Sequence, residues 1–167
     1  MKKTAIKQAV MVFALMSAYS MAQAAEQEPV VDAKRFYAGG GLGFHHAGGG
    51  NAQGFQFFAG YDFKFVINDD IASALEIGYM DSGKFDYFYG GTTSSKASGL
   101  WASMVETVPL TSKAGMLARL GYDFGDDDGF LIGAGMQYKF NTKAAMRMEY
   151  VTRQHISGLQ VNALFHF

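Results

Sequence analysis

Residues 159–167 decide the fold, because they read Leu-Gln-Val-Asn-Ala-Leu-Phe-His-Phe and alternate in polarity almost throughout. Successive side chains of a β-strand point to opposite faces, so this alternation predicts a strand with one apolar and one polar face. The stretch also ends on an aromatic side chain, which suits a strand facing lipid better than one in a soluble sheet. The apolar face contains Leu159, Val161, Ala163, Phe165 and Phe167, and the polar face contains Gln160, Asn162 and His166.

The start of the chain predicts export from the cytoplasm. A basic segment with three lysines leads into an apolar stretch and then into an Ala-Gln-Ala cleavage site ending at Ala24. A transmembrane helix is the competing interpretation, but the apolar stretch is too short and lacks a stop-transfer flank. We therefore interpret residues 1–24 as a cleaved signal peptide, 25–34 as a periplasmic lead-in and 35–167 as the membrane domain.

Composition narrows the class of protein. The chain has 167 residues with 21 glycines, 2 prolines and 15% aromatic residues, which favours sheet over helix in one domain. It has no cysteine, so no disulfide framework stabilises it outside the cytoplasm. The leader holds three of the 14 basic residues and none of the 15 acidic ones. The mature chain is therefore net acidic, which argues against a nucleic-acid partner.

The alternating pattern of the last segment recurs along the whole mature chain. Segments of about ten residues separated by turn signals are the signature of a membrane β-barrel. We predict an all-β fold, an eight-stranded antiparallel up-and-down transmembrane β-barrel, with the face assignment of the fourth strand left open. Residues 45–53 and 81–98 are then the longer connections, expected outside the cell. The predicted strands are 35–44, 54–65, 71–80, 99–108, 115–124, 129–140, 143–151 and 159–167.

The two faces of the predicted strands differ in chemistry. Aromatic residues cluster at the ends of the outward faces and predict two interfacial girdles, which we expect Trp101 to join. The inward faces carry glycine and charge. Buried charges are tolerated when they are paired, so we predict a polar network that plugs the lumen. Its predicted members are Glu76, Glu106, Arg119, Lys139, Arg147 and Glu149.

Four short motifs make the chain resemble the small eight-stranded outer membrane barrels of Gram-negative bacteria. These are Phe-Tyr-Ala-Gly at 36–39, Leu-Ala-Arg-Leu-Gly-Tyr at 117–122, Met-Arg-Met-Glu-Tyr at 146–150, and the Phe165-x-Phe167 ending. The resemblance is to the outer membrane protein A-type transmembrane domain and the opacity-like barrels, and it covers the mature chain.

This resemblance implies a location in the cell outer membrane, with membrane lipids and lipopolysaccharide as partners. It also implies that Phe165 and Phe167 form the insertion signal read by the barrel-assembly machinery. We expect a monomer without cofactor or bound metal. The chain is expected to depart from the family in lacking a periplasmic peptidoglycan-binding domain and in its short third and fourth outer loops, which argues against anchoring to the cell wall and against strong adhesion.

Two polar motifs are candidates for chemical sites. The His155-x-Ser157 element resembles that of lipid A deacylases, but no acid follows Ser157, and using Glu149 to orient the histidine departs from the order in that family. The adjacent His45 and His46 lack further metal ligands and are expected in a solvated loop. We therefore predict no catalytic residues and no enzyme.

The loop at 81–98 contains the most unusual aromatic cluster. Its odd-numbered residues continue the parity of the third strand, so this strand is expected to run past the membrane and pair back through residues 92–98. Exposed aromatic side chains on such a hairpin suit contact with a host or matrix ligand, or with lipid headgroups. The candidate contact residues are Phe85, Tyr87, Phe88 and Tyr89.

Three functions follow from these observations. The first is a structural barrel that supports envelope integrity, with surface contact through the 81–98 loop as an addition. The second is a narrow porin for small solutes. The third is a lipid A-modifying hydrolase that uses His155 and Ser157.

Overall fold

The computed structural model describes residues 31–63, 71–87 and 96–167, and these residues are almost entirely strand. A short 3-10 helix, Ala33–Arg35, precedes the first strand. The predicted signal peptide, residues 1–24, lies outside the described residues. The strands are β1 Phe36–Ala47, β2 Gly50–Phe63, β3 Ala72–Lys84, β4 Asp86–Tyr87, β5 Lys96–Pro109, β6 Ala114–Asp123, β7 Gly129–Lys139, β8 Ala144–Thr152 and β9 Ser157–His166.

Eight long strands form one closed antiparallel sheet. Each pairs with its neighbours along the chain, and β1 also pairs with β9, for example at Leu42 and Val161. The two-residue β4 adds to the end of β2, where Asp86 pairs with Asn51 and Tyr87 with Gly50. Among the described residues, closure gives each of the eight long strands a partner on both sides, which a sheet crossing a bilayer requires. The predicted eight-stranded up-and-down barrel is confirmed.

No helix long and apolar enough to cross a membrane is found in the part of the chain that the structure describes.

The first hairpin is tighter than the sequence suggested. We expected a longer loop over residues 45–53, but β1 and β2 pair continuously up to Ala47 and Gly50. Gly48 and Gly49 alone connect them, with φ of 55° and 86°. Two successive residues with positive φ make the turn that matches the twist of a hairpin, and glycine adopts this conformation without strain. The prediction of a long loop here was therefore wrong.

The alternation of side chains sorts the barrel into an exposed outer band and a buried lumen. On β9, Leu159 and Phe165 are exposed, whereas Gln160 and Asn162 are buried, as predicted. On β5, whose faces the sequence left open, Trp101, Ser103 and Val105 are the buried set. Trp101 is 1% exposed and therefore lies in the lumen. The expectation that it joins an outer girdle was wrong, because its position on β5 has the inward parity.

The two ends of the barrel carry different connections. The turn end contains the turns at 110–113 and 140–143, the start of β1 and the end of β9. The loop end contains the turns at 48–49, 124–128 and 153–156, together with β4.

Candidate functional site: the lumen of the barrel

Four charged side chains meet in the middle of the lumen and form what we call the lumen ion network. They are Glu76 on β3, Arg119 on β6, and Arg147 and Glu149 on β8, and none is more than 3% exposed. All four occupy inward positions of their strands, where the alternation of polarity predicted them. The sequence could place them on one face, but their pairing depends on the stagger of neighbouring strands.

Arg119 joins the two carboxylates. Its Nε and Nη2 atoms donate to the two carboxylate oxygens of Glu149 at 2.8 and 3.0 Å. Nη2 also lies 2.7 Å from Glu76 Oε2, and Nη1 donates to Ser103 Oγ at 2.9 Å. A forked contact of this kind holds a guanidinium group in a single orientation.

Arg147 completes the network from the side of the turn end. Its Nη1 donates to Glu76 Oε1 at 2.6 Å and lies 3.7 Å from Glu149 Oε1. Its Nε and Nη2 atoms donate to Gln137 Oε1 at 3.1 and 3.0 Å. The Tyr37 hydroxyl donates to Glu76 Oε1 at 2.5 Å. Two guanidinium groups thus balance two carboxylates, as buried charges require.

Aromatic rings line the same part of the lumen. The Arg119 guanidinium lies 4.9 Å from the centre of the Trp101 ring, and that of Arg147 lies 5.8 Å from the centre of the Phe58 ring. Such contacts between cations and ring faces add to the attraction when solvent is excluded. Phe58 was not predicted as a lumen residue, although its inward parity on β2 was the available signal.

Glycines on neighbouring strands make room for these rings. A Cβ atom at Gly60 would overlap the Tyr37 ring, and one at Gly78 would lie 2.5 Å from Trp101 Cζ2. The absence of a side chain at both positions therefore accommodates large lumen side chains.

Glu106 and Lys139 are not part of this cluster. Glu106 has the outward parity of β5, opposite to Val105, and accepts a hydrogen bond from Ser73 Oγ at 2.6 Å. Lys139 faces inward on β7 but lies at the turn end, where it is exposed. Both residues were predicted as network members because they are charged. Glu106 is excluded from the lumen ion network by its strand parity, and Lys139 is excluded by its position at the turn end.

Polar side chains also fill the lumen between the ion network and the loop end. Gln56 Nε2 donates to Gln160 Oε1 at 2.8 Å and to Asn162 Oδ1 at 2.9 Å. Closer to the loop end, Arg153 Nε donates to Asp123 Oδ2 at 2.9 Å, and both side chains are buried. The lumen is therefore occupied by side chains over these layers.

His155 is held by Asp127 rather than by Glu149. The Asp127 carboxylate accepts hydrogen bonds from the backbone N–H groups of His155 and Ile156 and contacts His155 Nδ1 at 2.8 Å. Glu149 is occupied by Arg119. Among the described residues, no hydrogen bond joins His155 to Ser157. Asp127 therefore organises the turn at 153–156.

The two adjacent histidines lie on opposite faces of β1. His45 is buried in the lumen, whereas His46 is exposed and its Nδ1 lies 2.9 Å from Asn51 Oδ1. The described ranges contain no group of three or more histidine, aspartate or glutamate side chains that could hold a metal ion.

Phe85, one of the candidate surface residues, is buried. It packs with Ala52 and Ile156 in a small apolar cluster at the loop end. The cause is a register shift between Asp81 and Lys84, which adds one residue to β3 and reverses the faces beyond it. The expected pairing back is observed as far as Lys96. Only the backbone of Tyr87 is described, and Phe88 and Tyr89 lie outside the described residues.

The final aromatic residues lie on the outer face at the turn end. Phe165 and Phe167 are exposed, with ring centres 6.0 Å apart. The backbone N–H of Phe167 donates to Phe36 O at 3.1 Å, so the last residue still belongs to the seam between β9 and β1.

The profile of the outer membrane protein beta-barrel domain matches residues 11–164, which is most of the chain. The chain belongs to this family. It is therefore an outer membrane β-barrel protein of Gram-negative type, as the resemblance implied. No curated protein matches the chain in sequence.

Solved structures of low sequence identity share the fold. Ail of Yersinia pestis in a phospholipid nanodisc has 13% identity and a TM-score of 0.53, covering 78% of this chain and 99% of its own. Neisserial surface protein A has 15% identity and a TM-score of 0.51, covering 79% and 97%. A designed transmembrane β-barrel has 12% identity and a TM-score of 0.53, covering 85% and 99%. At these identities the likeness concerns the fold alone.

Proposed function

We propose that this outer membrane barrel is a closed structural protein that supports the integrity of the envelope and conducts no solute. The observation that carries the proposal is the lumen ion network of Glu76, Arg119, Arg147 and Glu149. An eight-stranded barrel is just wide enough inside to be filled by its own side chains. A solute would have to displace buried, mutually paired charges, which is strongly unfavourable.

Conductance in planar lipid bilayers tests the closed state directly. The refolded wild-type protein is expected to show no large, steady opening. The control is the variant Glu76→Ala/Arg119→Ala/Arg147→Ala/Glu149→Ala, which removes the central side chains and so empties the middle of the lumen in a barrel of the same width. A steady open state of the wild-type protein would instead support the narrow porin, the alternative function.

The envelope role needs a test in cells. A strain lacking the protein is expected to release more of a periplasmic enzyme and to become sensitive to detergent. Complementation by the wild-type chain should restore the barrier. Unchanged leakage and detergent sensitivity in the deletion strain would contradict the proposal.

The protein is not expected to act as an enzyme. Asp127 accepts hydrogen bonds from the backbone N–H groups of His155 and Ile156 and contacts His155 Nδ1, which accounts for the position of His155 without catalysis. Lipid A from cells that overproduce the wild-type protein or Ser157→Ala is expected to have the same mass. A change in the mass of lipid A that occurs only with the wild-type protein would support a hydrolase function instead.

Surface contact through the 81–98 loop is proposed as an additional role. Pairing of β4 with Gly50 and Asn51 joins this loop to the first hairpin, so Tyr87 belongs to a platform at the loop end. Ail of similar fold is known in complex with the heparin analogue sucrose octasulfate. Replacing residues 87–95 with glycine and serine keeps Phe85 in its cluster. This replacement should reduce binding to host matrix, and unchanged binding would remove the role.

A further inference from the structure

The lumen is filled toward the loop end but contains a cavity at the turn end. This cavity, which we call the vestibule, has a volume of about 500 Å³ and extends from the turns of the barrel to the lumen ion network. Its deep part is formed by Tyr37, Val105, Arg147 and Leu164, all of them buried. Volumes of this size are typical of sites for small molecules.

Basic side chains outnumber acidic ones in the lining of the vestibule. The lining includes Arg35 from the 3-10 helix, Lys113 from the turn at 110–113, and Lys139 from β7. Among the described residues, none of these three forms a salt bridge. The acidic side chain of the lining is Asp62, which lies 3.3 Å from His166 Nε2. The described residues of the lining therefore carry more positive than negative charge.

The deep part of the vestibule provides hydrogen-bond donors in addition to this positive charge. Arg147 has five N–H donors, of which hydrogen bonds to Glu76 and Gln137 engage three. Gln137 uses its carbonyl oxygen for Arg147, so its amide N–H groups are not needed for that contact. A cavity with cationic side chains around it and amide and guanidinium donors in its deep part suits a ligand with carboxylate or phosphate oxygens. Charge-assisted hydrogen bonds to these groups are stronger than hydrogen bonds between neutral groups.

We propose that the vestibule binds a small solute that carries two or more anionic groups, either carboxylates or phosphates. The enclosed floor limits the ligand to a small molecule rather than a polymer. The solute enters and leaves by the turn end, since the Asp123–Arg153 pair and the cluster of Ala52, Phe85 and Ile156 occupy the loop end. Binding requires no passage through the barrel and is therefore compatible with a closed lumen.

Two lysines of the vestibule and a third one nearby provide the test. The double variant Lys113→Gln/Lys139→Gln removes cationic side chains from the lining. Lys143→Gln is the matched control, because Lys143 also lies at the turn end but contacts the outer face, with Nζ 6.0 Å from the centre of the Phe165 ring. All three positions are exposed, so folding is expected to survive, and circular dichroism verifies it.

The full mature chain is titrated in neutral detergent at low salt by isothermal titration calorimetry. The probes are tripolyphosphate and citrate, so the two arms distinguish phosphate from carboxylate recognition. We expect saturable binding of at least one probe with one site per barrel, weakened about tenfold or more in the double variant and unchanged in Lys143→Gln. The loss of two charge-assisted hydrogen bonds accounts for this factor.

Two results would overturn the proposal. One is the absence of saturable binding by both probes in the wild-type protein. The other is equal weakening in the double variant and in Lys143→Gln, because binding would then depend on the net charge of the turn end rather than on the vestibule.

Discussion

Arg119 on β6 and Glu149 on β8 form a buried two-pronged ion pair across the intervening strand β7, with N–O distances of 2.8 and 3.0 Å. The inward residues of β7 at this level are Gly133, which pairs with Arg119, and Gly135, which pairs with Glu149. A Cβ atom at Gly135 would lie 3.0 Å from Glu149 Cγ. The ion pair thus depends on the absence of side chains between its partners.

Removing one member of this pair should destabilise the barrel strongly. Glu149→Leu leaves the Arg119 guanidinium buried without its main partner, which costs about 3–5 kcal/mol. Urea unfolding of the protein in lipid vesicles measures the free energy of unfolding. Met148→Leu, on the outer face of the same strand, is the control and should change it little.

The double variant Arg119→Leu/Glu149→Leu separates pairing from packing. We expect it to lose less free energy of unfolding than Glu149→Leu alone, because no uncompensated charge stays buried. If the loss of free energy of unfolding in the double variant equalled the sum of the losses in Arg119→Leu and Glu149→Leu, this result would contradict the coupling of the pair.

Adding a methyl group at Gly78 should disturb the lumen at Trp101. A Cβ atom there would lie 2.5 Å from Trp101 Cζ2 and 2.8 Å from the backbone oxygen of Phe57. Gly78→Ala is expected to lower the free energy of unfolding by about 1–3 kcal/mol, as overpacking does. Ala163→Val, on the outer face, serves as the control. Equal effects of both changes would contradict the close packing at Gly78.

The position of Trp101 can be tested by fluorescence, because it is the only tryptophan of the chain. Its indole lies in the lumen, so brominated acyl chains of the surrounding lipid should quench it only weakly. The comparison is Trp101→Phe combined with Leu100→Trp, since Leu100 is exposed on the outer face of the same strand. Similar quenching of both proteins would place Trp101 on the lipid side.

The terminal aromatic residue is expected to matter for assembly more than for stability. Phe167→Ala should lower the amount of folded protein in the outer membrane, because Phe167 is proposed to belong to the insertion signal. Phe140→Ala is the matched control, since Phe140 is also an exposed aromatic residue at the turn end. The readout is the fraction that migrates as folded barrel in unheated gels. Equal folded fractions in both variants would contradict a special role for the last residue.

The fold could be predicted from the sequence because successive residues of a barrel strand face lipid and lumen in turn, and the polarity of each side chain follows the environment that it faces. The alternation in residues 159–167 separates lipid-facing Leu159 from lumen-facing Gln160, and the structure agrees. The same parity placed Glu76, Arg119, Arg147 and Glu149 inside. The failures came from local backbone geometry. Gly48 and Gly49 make a two-residue turn where a loop was expected, and an extra residue between Asp81 and Lys84 turns Phe85 inward.

By itself, the sequence determined the class of protein, the number of strands and the charged character of the lumen. The reason is that alternate residues of a barrel strand face lipid and lumen, so the polarity of the side chains alternates with a period of two. Only the tertiary structure decided which charges meet. Side chains that share the inward face become partners through strand stagger and the glycines between them, which brings Arg119 to Glu149 and excludes Glu106 and Lys139. Side chains occupy the lumen at the loop end, whereas a basic vestibule lies at the turn end. The sequence pattern does not predict this difference between the two ends.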